Sequence, residues 1–260
     1  MNVQAASWSP FRCYVLEAKY EFLKVFRMPA YSIPSIAFPL MFYVLFGLAF
    51  GNGRAGGVTM ATYLIATYGA FGVIGASLFG FGVGIAVERG QGWMVLKRAT
   101  PMPPAAYFLA KLLTCMIFAS VIVFLLSVLG VMFGGVRLPG MVWTRLFVTL
   151  ILGAVPFCAL GLAIGSFAGP NSAPPIVNLL YLSMSFASGL WIPIQILPPF
   201  IRALSHALPP YHLGQLALEV IGAGQGEPAW THIGALAAFT LLGLGVAWAG
   251  YRRDEGQTWG

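Results

Sequence analysis

The stretch LFVTLILGAVPFCALGLAIGSFAGPNSAPPIVNLLYLSMSFASGLWIPIQILPPFI, residues 146–201, decides the fold, because its 56 positions hold no Asp, Glu, Lys or Arg. The whole chain of 260 residues has only 14 basic and 7 acidic residues. A hydrocarbon core about 30 Å thick is crossed by roughly 20 apolar helical residues, so this stretch is long enough for two crossings. Residues 169–175, GPNSAPP, are typical of a turn between them. We therefore predict a membrane protein.

The composition of the whole chain agrees with this prediction. Charged residues make up 8% and hydrophobic residues 59%, whereas about 25% of a soluble domain is charged. Cys13, Cys115 and Cys158 form no C-x-x-C pair. We expect neither a disulfide nor a metal site, since the last two lie in apolar segments and suit small buried hydrophobes. The first 30 residues carry six charges and lack the apolar region of a secretory signal, so we expect the amino terminus to be retained.

Gaps between charged residues predict the transmembrane helices. Backbone groups in lipid must be hydrogen-bonded within their own segment, which favours helices over isolated strands. The expected fold is an all-α polytopic membrane protein, a single domain over residues 1–260 with six transmembrane helices. These spans cover residues 31–50, 60–85, 108–133, 146–168, 174–192 and 230–250.

The distribution of basic residues predicts the orientation. If both termini share one side, that side carries 10 of the 14 basic residues, including Lys111 at the edge of the third span. Basic residues favour the cytoplasmic side, so both termini are expected in the cytoplasm. The net charge of +7 is then explained by topology and by contact with anionic membrane lipids, and no nucleic-acid partner is expected. The segments on this side are residues 1–30, 86–107, 169–173 and 251–260.

The amino-terminal stretch from Phe11 to Arg27 is compatible with an amphipathic helix. Such a helix is expected to lie in the membrane interface, within the segment 1–30. The alternative is the first turn of an unusually long first span. The charged residues of interest are Arg12, Glu17, Lys19, Lys24 and Arg27, with Glu21 also on the polar side.

Motifs for nucleotide hydrolysis are missing from the sequence. It contains no G-x-x-x-x-G-K-[ST] and no Gly-Lys dipeptide, so we expect no ATPase activity and no cofactor in this chain. The histidines His206, His212 and His232 lack the H-E-x-x-H spacing of a metalloprotease, and no carboxylate lies in the central part of a span. A metal site or an intramembrane ion relay is therefore disfavoured. The glycine series 80, 82, 84 and 161, 165, 169 favour close helix packing.

The loop before the third span reads ERGQGWMVLKRATPMPP, residues 88–104. It combines a charged pair, glycines, and a short helix with Trp93 and Leu96 three positions apart on one face, and it ends in prolines. A short amphipathic helix between two spans is suited to a partner's groove. The alternative is an ordinary basic loop at the lipid surface.

The segment before the last span is rich in proline. Five prolines between Pro193 and Pro210 exclude a straight spanning helix, although the residues between them remain largely apolar. Irregular backbone at membrane depth is tolerated when it is buried in protein or lines a cavity. We expect residues 193–229 to form a re-entrant segment outside the cytoplasm; the alternative is a surface loop.

The predicted fifth span carries a polar stripe, formed by Asn178, Tyr181, Ser185 and Ser188 on one helical face. Lining of a cavity and hydrogen bonding between helices are both compatible with it.

These features together resemble the ABC-2 type permeases, the membrane subunits of bacterial ABC exporters. The resemblance lies in Glu88, Arg89, Gly92, Leu96 and Pro101 before the third span, and in an amphipathic helix ending near Arg27-Met28-Pro29. It includes SGLWIPIQILPPF, residues 188–200, and LPPY, residues 208–211.

The resemblance implies roles for three sets of residues. In the family, the loop between spans two and three docks on a separate ATPase subunit, spans two and five border the substrate cavity at the dimer axis, and the proline-rich segment covers the exit. The implied docking residues are Glu88, Arg89, Gly92, Trp93, Leu96, Arg98 and Pro101. The implied pathway residues are Phe71, Phe79, Asn178, Tyr181, Ser185 and Ser188. The implied lid residues are Trp191, Pro193, Leu197 and Pro198.

The expected function is that of the permease subunit of an ATP-driven exporter in the bacterial inner membrane. It would work as a homodimer or pseudo-dimer with two ATP-binding subunits, which bind the ATP and Mg²⁺. A hydrophobic or amphipathic cargo is expected, such as a drug (multidrug efflux), an antibiotic or a lipid-linked molecule. The alternatives are a channel, a secondary carrier, and a membrane assembly or sensor protein that transports nothing. Co-purification with an ATPase subunit would discriminate them.

Overall fold

The computed structural model describes residues 10–48, 53–100 and 102–257. The described helices are α1 (Pro10–Phe26), α2 (Pro29–Phe42), α3 (Met60–Leu78), α4 (Gly84–Gly90), α5 (Trp93–Arg98), α6 (Pro104–Met132), α7 (Gly140–Leu152), α8 (Ala154–Phe167), α9 (Ala173–Ala187), α10 (Pro199–Ser205), α11 (Pro209–Val220) and α12 (Ala229–Gln257). The strands β1 (Arg54–Ala55) and β2 (Val58–Thr59) form a small antiparallel hairpin. The predicted all-α membrane fold is confirmed.

Five helical stretches are long and apolar enough to cross a membrane, within the described residues. They are Pro29–Gly47, Met60–Gly90, Pro104–Met132, Gly140–Phe167 and Ala229–Gly250. The predicted span 174–192 is helical over only the 15 residues of α9, about 22 Å at 1.5 Å per residue. It ends where Gly189 adopts a positive φ of 74°, a conformation that suits glycine and stops a helix. Helix length therefore does not establish a sixth crossing.

The helix α3 is the centre of the bundle. Residues 61–78 are all buried, and α3 packs against α2, α6, α7, α8, α9 and α11. A helix that is apolar all round belongs in such a position. A π-helical turn over Phe79–Val83 joins α3 to α4. The second span thus continues beyond its predicted end at residue 85, and Glu88 and Arg89 lie on its last turn instead of in a loop.

Glycines allow several helices to approach closely, as the sequence predicted for positions 80, 82, 161 and 165; a Cβ at Gly84 or Gly169 would meet its nearest atom only at 3.6 Å. A Cβ atom at Gly165 would lie 2.8 Å from the Gly82 carbonyl oxygen, so α8 packs directly on the second span. A Cβ at Gly243 of α12 would lie 2.8 Å from the backbone carbonyl carbon of Ala159. Only glycine fits where backbones are in such contact.

The segments that the charge distribution places on one side meet at one end of the bundle. Gly90 lies directly against the ring of Pro170, and residues of α5, α6 and α12 border the same space. We call the end of the bundle that holds Gly90, Pro170 and these residues of α5, α6 and α12 the basic end.

The proline-rich segment forms short helices that pack back into the bundle. The side chain of Leu213 in α11 is buried against Gly153, which lies midway along Gly140–Phe167. Ile194, Leu197 and Tyr211 form a small core of their own. These contacts favour the predicted re-entrant segment over a surface loop.

The glycine contact between α12 and α8 gives a direct test. We expect Gly243→Ala to lower the apparent melting temperature of the purified protein, because forcing a methyl group into packed backbone costs about 1–3 kcal/mol. Gly245→Ala is the matched control: its Cβ would meet no atom within 4 Å, and a helical Gly→Ala change gains up to about 1 kcal/mol. Equal melting temperatures would contradict this packing.

Candidate functional site

A buried ion network joins three segments at the basic end. Lys111 of α6 places its Nζ atom 2.7 Å from Glu21 Oε1 and 2.9 Å from Glu88 Oε1. Lys24 places its Nζ atom 2.6 Å from Glu21 Oε2 and also pairs with Glu88. Glu21, Glu88 and Lys111 are buried. Two acids and two bases from α1, α4 and α6 thus neutralise one another.

Further contacts extend the network to α5 and α8. The Tyr107 hydroxyl donates a hydrogen bond to Glu88 Oε2 at 2.5 Å. Lys97 of α5 pairs with Glu17 of α1 and lies 4.2 Å from the centre of the Tyr107 ring. Arg89 Nη1 donates to the Gly165 carbonyl oxygen of α8 at 2.8 Å. Charged groups at such short distances in a desolvated site hold these elements in fixed relative positions.

The helix α5 shows its apolar face to the outside. Met94 packs inward against the cluster around Phe81 and Tyr107, and Lys97 is anchored to α1. Trp93 and Leu96, in contrast, are 47% and 67% exposed. Gly92 makes the turn from α4 to α5 with a positive φ of 76°. Arg98 is the last residue of α5, and Pro101 lies outside the described residues.

The predicted amino-terminal helix is present as α1 and is separate from α2, so the alternative of one long first span is wrong. Arg12, Lys19 and Arg27 are exposed. Glu17 and Lys24 contact α5 and α4 through ion pairs. Glu21, assigned from the sequence only to the polar side, is buried against α6.

The structure brings together part of the predicted pathway set. The ring of Tyr181 stacks on Phe71 with centroids 4.5 Å apart and meets the edge of Phe79 at 5.9 Å. The Tyr181 hydroxyl donates to the Phe71 carbonyl oxygen at 3.1 Å. These contacts join α9 to the second span within one protomer.

The remaining stripe residues divide into two kinds. Asn178 is exposed, whereas Ser185 and Ser188 are buried. Among the residues that the structure describes, neither serine hydroxyl has a hydrogen-bond partner. Both side chains are buried within the protomer, as expected for residues packed between helices.

The predicted lid residues lie over α3. The Trp191 ring packs 5.7 Å from Phe71, and its carbonyl accepts a hydrogen bond from the Tyr68 hydroxyl at 3.2 Å. Pro193 and Leu197 are buried, while Pro198 is exposed.

A cluster of histidines near the lid was missed from the sequence. His212 Nδ1 lies 3.0 Å from His232 Nδ1, and Tyr211 lies between His206 and Glu227, with its hydroxyl 3.2 Å from each partner atom. Burial lowers the pKa of His212 below its ordinary value of 6.5. The spacing of these residues gave no signal because the turns between α10, α11 and α12 bring them together. The described residues contain no group suited to holding a metal ion.

Comparison with known proteins now defines the class. The family model "ABC-2 type transporter" matches residues 14–221, most of the chain. The chain belongs to this family.

A curated relative supports this assignment to the ABC-2 type transporters. The protein named "Putative transport permease YvfS", from Bacillus subtilis (strain 168), is 27% identical to the permease described here over 222 residues. The match covers 85% of this chain and 90% of the relative. The chain is therefore the membrane subunit of a transporter. The family match includes every residue of the ion network, from Glu17 to Lys111.

The ion network of the permease predicts unequal effects of single and paired substitutions. Lys111→Gln leaves Glu21 and Glu88 with Lys24 alone, and breaking a buried pair costs about 3–5 kcal/mol. We expect a large fall in the apparent melting temperature of the purified protein. The double variant Glu21→Gln with Lys111→Gln restores neutrality and should recover part of that loss.

The exposed Lys19→Gln variant serves as the control and should leave the melting temperature unchanged. Additive effects of Glu21→Gln and Lys111→Gln in the double-mutant cycle would show that the two side chains do not interact.

Proposed function

We propose that this permease forms the membrane pathway of an ATP-driven exporter and that a separate ATP-binding subunit docks on α5. The observation that carries the proposal is the exposed pair Trp93 and Leu96 on a helix whose opposite face is anchored. Large apolar side chains that are exposed on a short, fixed helix are suited to a groove on a partner. The family match supports an ABC ATP-binding subunit as that partner. ATP and Mg²⁺ would be bound there.

The ion network provides a route for the coupling. A force on α5 acts on α4 through the Gly92 turn, and on α1 through the pair of Lys97 and Glu17. From α4 it reaches α6 through Glu88 and Lys111, and α8 through Arg89. Closure of the ATP-binding subunits would then shift the bundle between two conformations, provided that the subunits bind them with different affinity.

The permease is proposed to work as a dimer that meets its partner copy along α9. The outer face of this short helix is apolar, and Leu179 is 69% exposed. A helix too short to span the hydrocarbon core alone is suited to a protein neighbour instead of lipid. In a homodimer, a second copy of this chain would cover this face. In a pseudo-dimer, a related second permease would cover it.

The proposed cargo pathway follows the same helix. Asn178, Tyr181, Ser185 and Ser188 lie along α9 and its end, and the ring of Tyr181 stacks on Phe71, which packs against Trp191. A site with apolar walls and few polar groups suits a hydrophobic or amphipathic cargo, such as a drug, an antibiotic or a lipid-linked molecule. Location in the bacterial inner membrane, with the basic end and both termini in the cytoplasm, belongs to the same proposal.

Docking on α5 can be tested with one exposed tryptophan at each end of the bundle. We expect Trp93→Ala to weaken binding of the ATP-binding subunit that co-purifies with the native chain at least tenfold, because the variant loses a central apolar anchor. Titration of the purified subunit against the permease in nanodiscs measures this. Trp230→Ala, at the start of α12, removes another exposed tryptophan and should leave binding unchanged. Full binding by Trp93→Ala would overturn the docking assignment.

The dimer can be tested by cross-linking. In a chain with its three native cysteines replaced, Leu179→Cys should yield a cross-linked dimer with a short bismaleimide in native membranes. Leu241→Cys places a thiol on α12 at a similarly exposed position, since Leu241 is 71% exposed, and should remain monomeric on denaturing gels. Cross-linking of Leu241→Cys but not of Leu179→Cys would instead place the dimer interface at α12.

A further inference from the structure

A large cleft lies in the side of the protomer at the basic end. Its volume is about 1520 Å³, above the roughly 300–1,000 Å³ of ordinary ligand pockets. Its walls are α6, α8 and α12, and it ends at α4 and α5. We call it the lateral cleft. It does not include Tyr181, Ser185 or Ser188, so it is distinct from the proposed cargo pathway.

The length of the lateral cleft matches one leaflet of a bilayer. On α8 its wall runs from Val155 to Phe167, which is 12 helical steps of 1.5 Å, or about 18 Å. One leaflet of the hydrocarbon core is about 15 Å thick. The inner wall is apolar, and the rim includes the half-exposed side chains of Phe108, Leu109 and Leu244. Acyl chains could therefore enter the cleft from the surrounding lipid.

The charges of the lateral cleft are concentrated at its basic end. Among its described lining residues, the ionisable side chains with a charge at neutral pH are Arg89 and Lys97. A third cation, Arg252, lies 5.1 Å from the ring centre of Trp248 at the rim. Glu17 is the described acid that pairs with Lys97, and it does not line the cleft. Tryptophan with nearby basic residues is typical of the membrane–water interface.

We propose that the lateral cleft binds an anionic phospholipid from the leaflet at the basic end. The phosphate group lies near Arg89 and Lys97, and the acyl chains run along α8 between α6 and α12. Positive charge at one end and apolar walls over the length of a leaflet complement such a molecule. Arg89 and Lys97 also hold α4 and α5 in the ion network, so the lipid contacts the segment that we propose for docking.

The binding can be measured with lipid photolabelling. The full-length permease is reconstituted in nanodiscs that contain phosphatidylglycerol or phosphatidylcholine with a diazirine on the acyl chain. After irradiation, labelled peptides are located by mass spectrometry. We expect labels on the inward faces of α8 and α12, several-fold more with phosphatidylglycerol. Lys97→Gln should reduce this preference, because it removes a cation from the phosphate site.

A pair of neighbouring leucines separates cleft binding from ordinary lipid contact. Leu112 lines the lateral cleft, whereas Leu113 is exposed outside it. Leu112→Trp fills the cleft and should lower the labelling of α8 several-fold, while Leu113→Trp should leave it unchanged. Size-exclusion profiles and melting temperatures identify any variant that is misfolded, and Lys97→Gln then provides the second test. Equal labelling by the two lipids, or equal labelling in both tryptophan variants, would overturn the proposal.

Discussion

The basic end of the permease depends on the mutual neutralisation of four charges, three of which are buried. Glu21, Lys24, Glu88 and Lys111 come from three separate helices, and the three buried charges among them would not be tolerable alone in a desolvated site. Because their positions must be satisfied together, α1, α4 and α6 cannot shift independently. The arrangement fixes the amino-terminal helix to the bundle, and the pair of Lys97 and Glu17 anchors α5 to that helix.

The interior of the bundle is stabilised by packing instead of by charge pairs. Around α3, association relies on close packing, since lipid tails are as apolar as the side chains. Glycines at positions 82, 165 and 243 let backbones touch, and the aromatic side chains of Phe71 and Tyr181 fill the space next to α9. A tightly packed interior joined to an electrostatically fixed end transmits displacement well, because neither part deforms continuously.

Much of this architecture could be predicted from the sequence. Gaps between charges located the membrane helices, since charged side chains are rare within membrane spans. Periodicity identified α1, and the residues around Trp93 indicated a short exposed helix. The pairing of Glu21 with Lys111 could not be predicted, because it depends on how α1 lies on α6. The cluster of His206, His212 and His232 was also missed, because it depends on how α10, α11 and α12 fold against one another. The short α9 was overestimated, since apolar composition continues beyond the glycine that ends it.

The position of the ion network along the chain bears on how the protein is made. All four of its residues lie between positions 21 and 111, and both acids are synthesised before Lys111 leaves the ribosome. The lysine therefore finds its counter-charges already present at the membrane, and no residue made later is needed. The four charges can therefore pair during translation, before the uncharged stretch 146–201 reaches the insertion machinery.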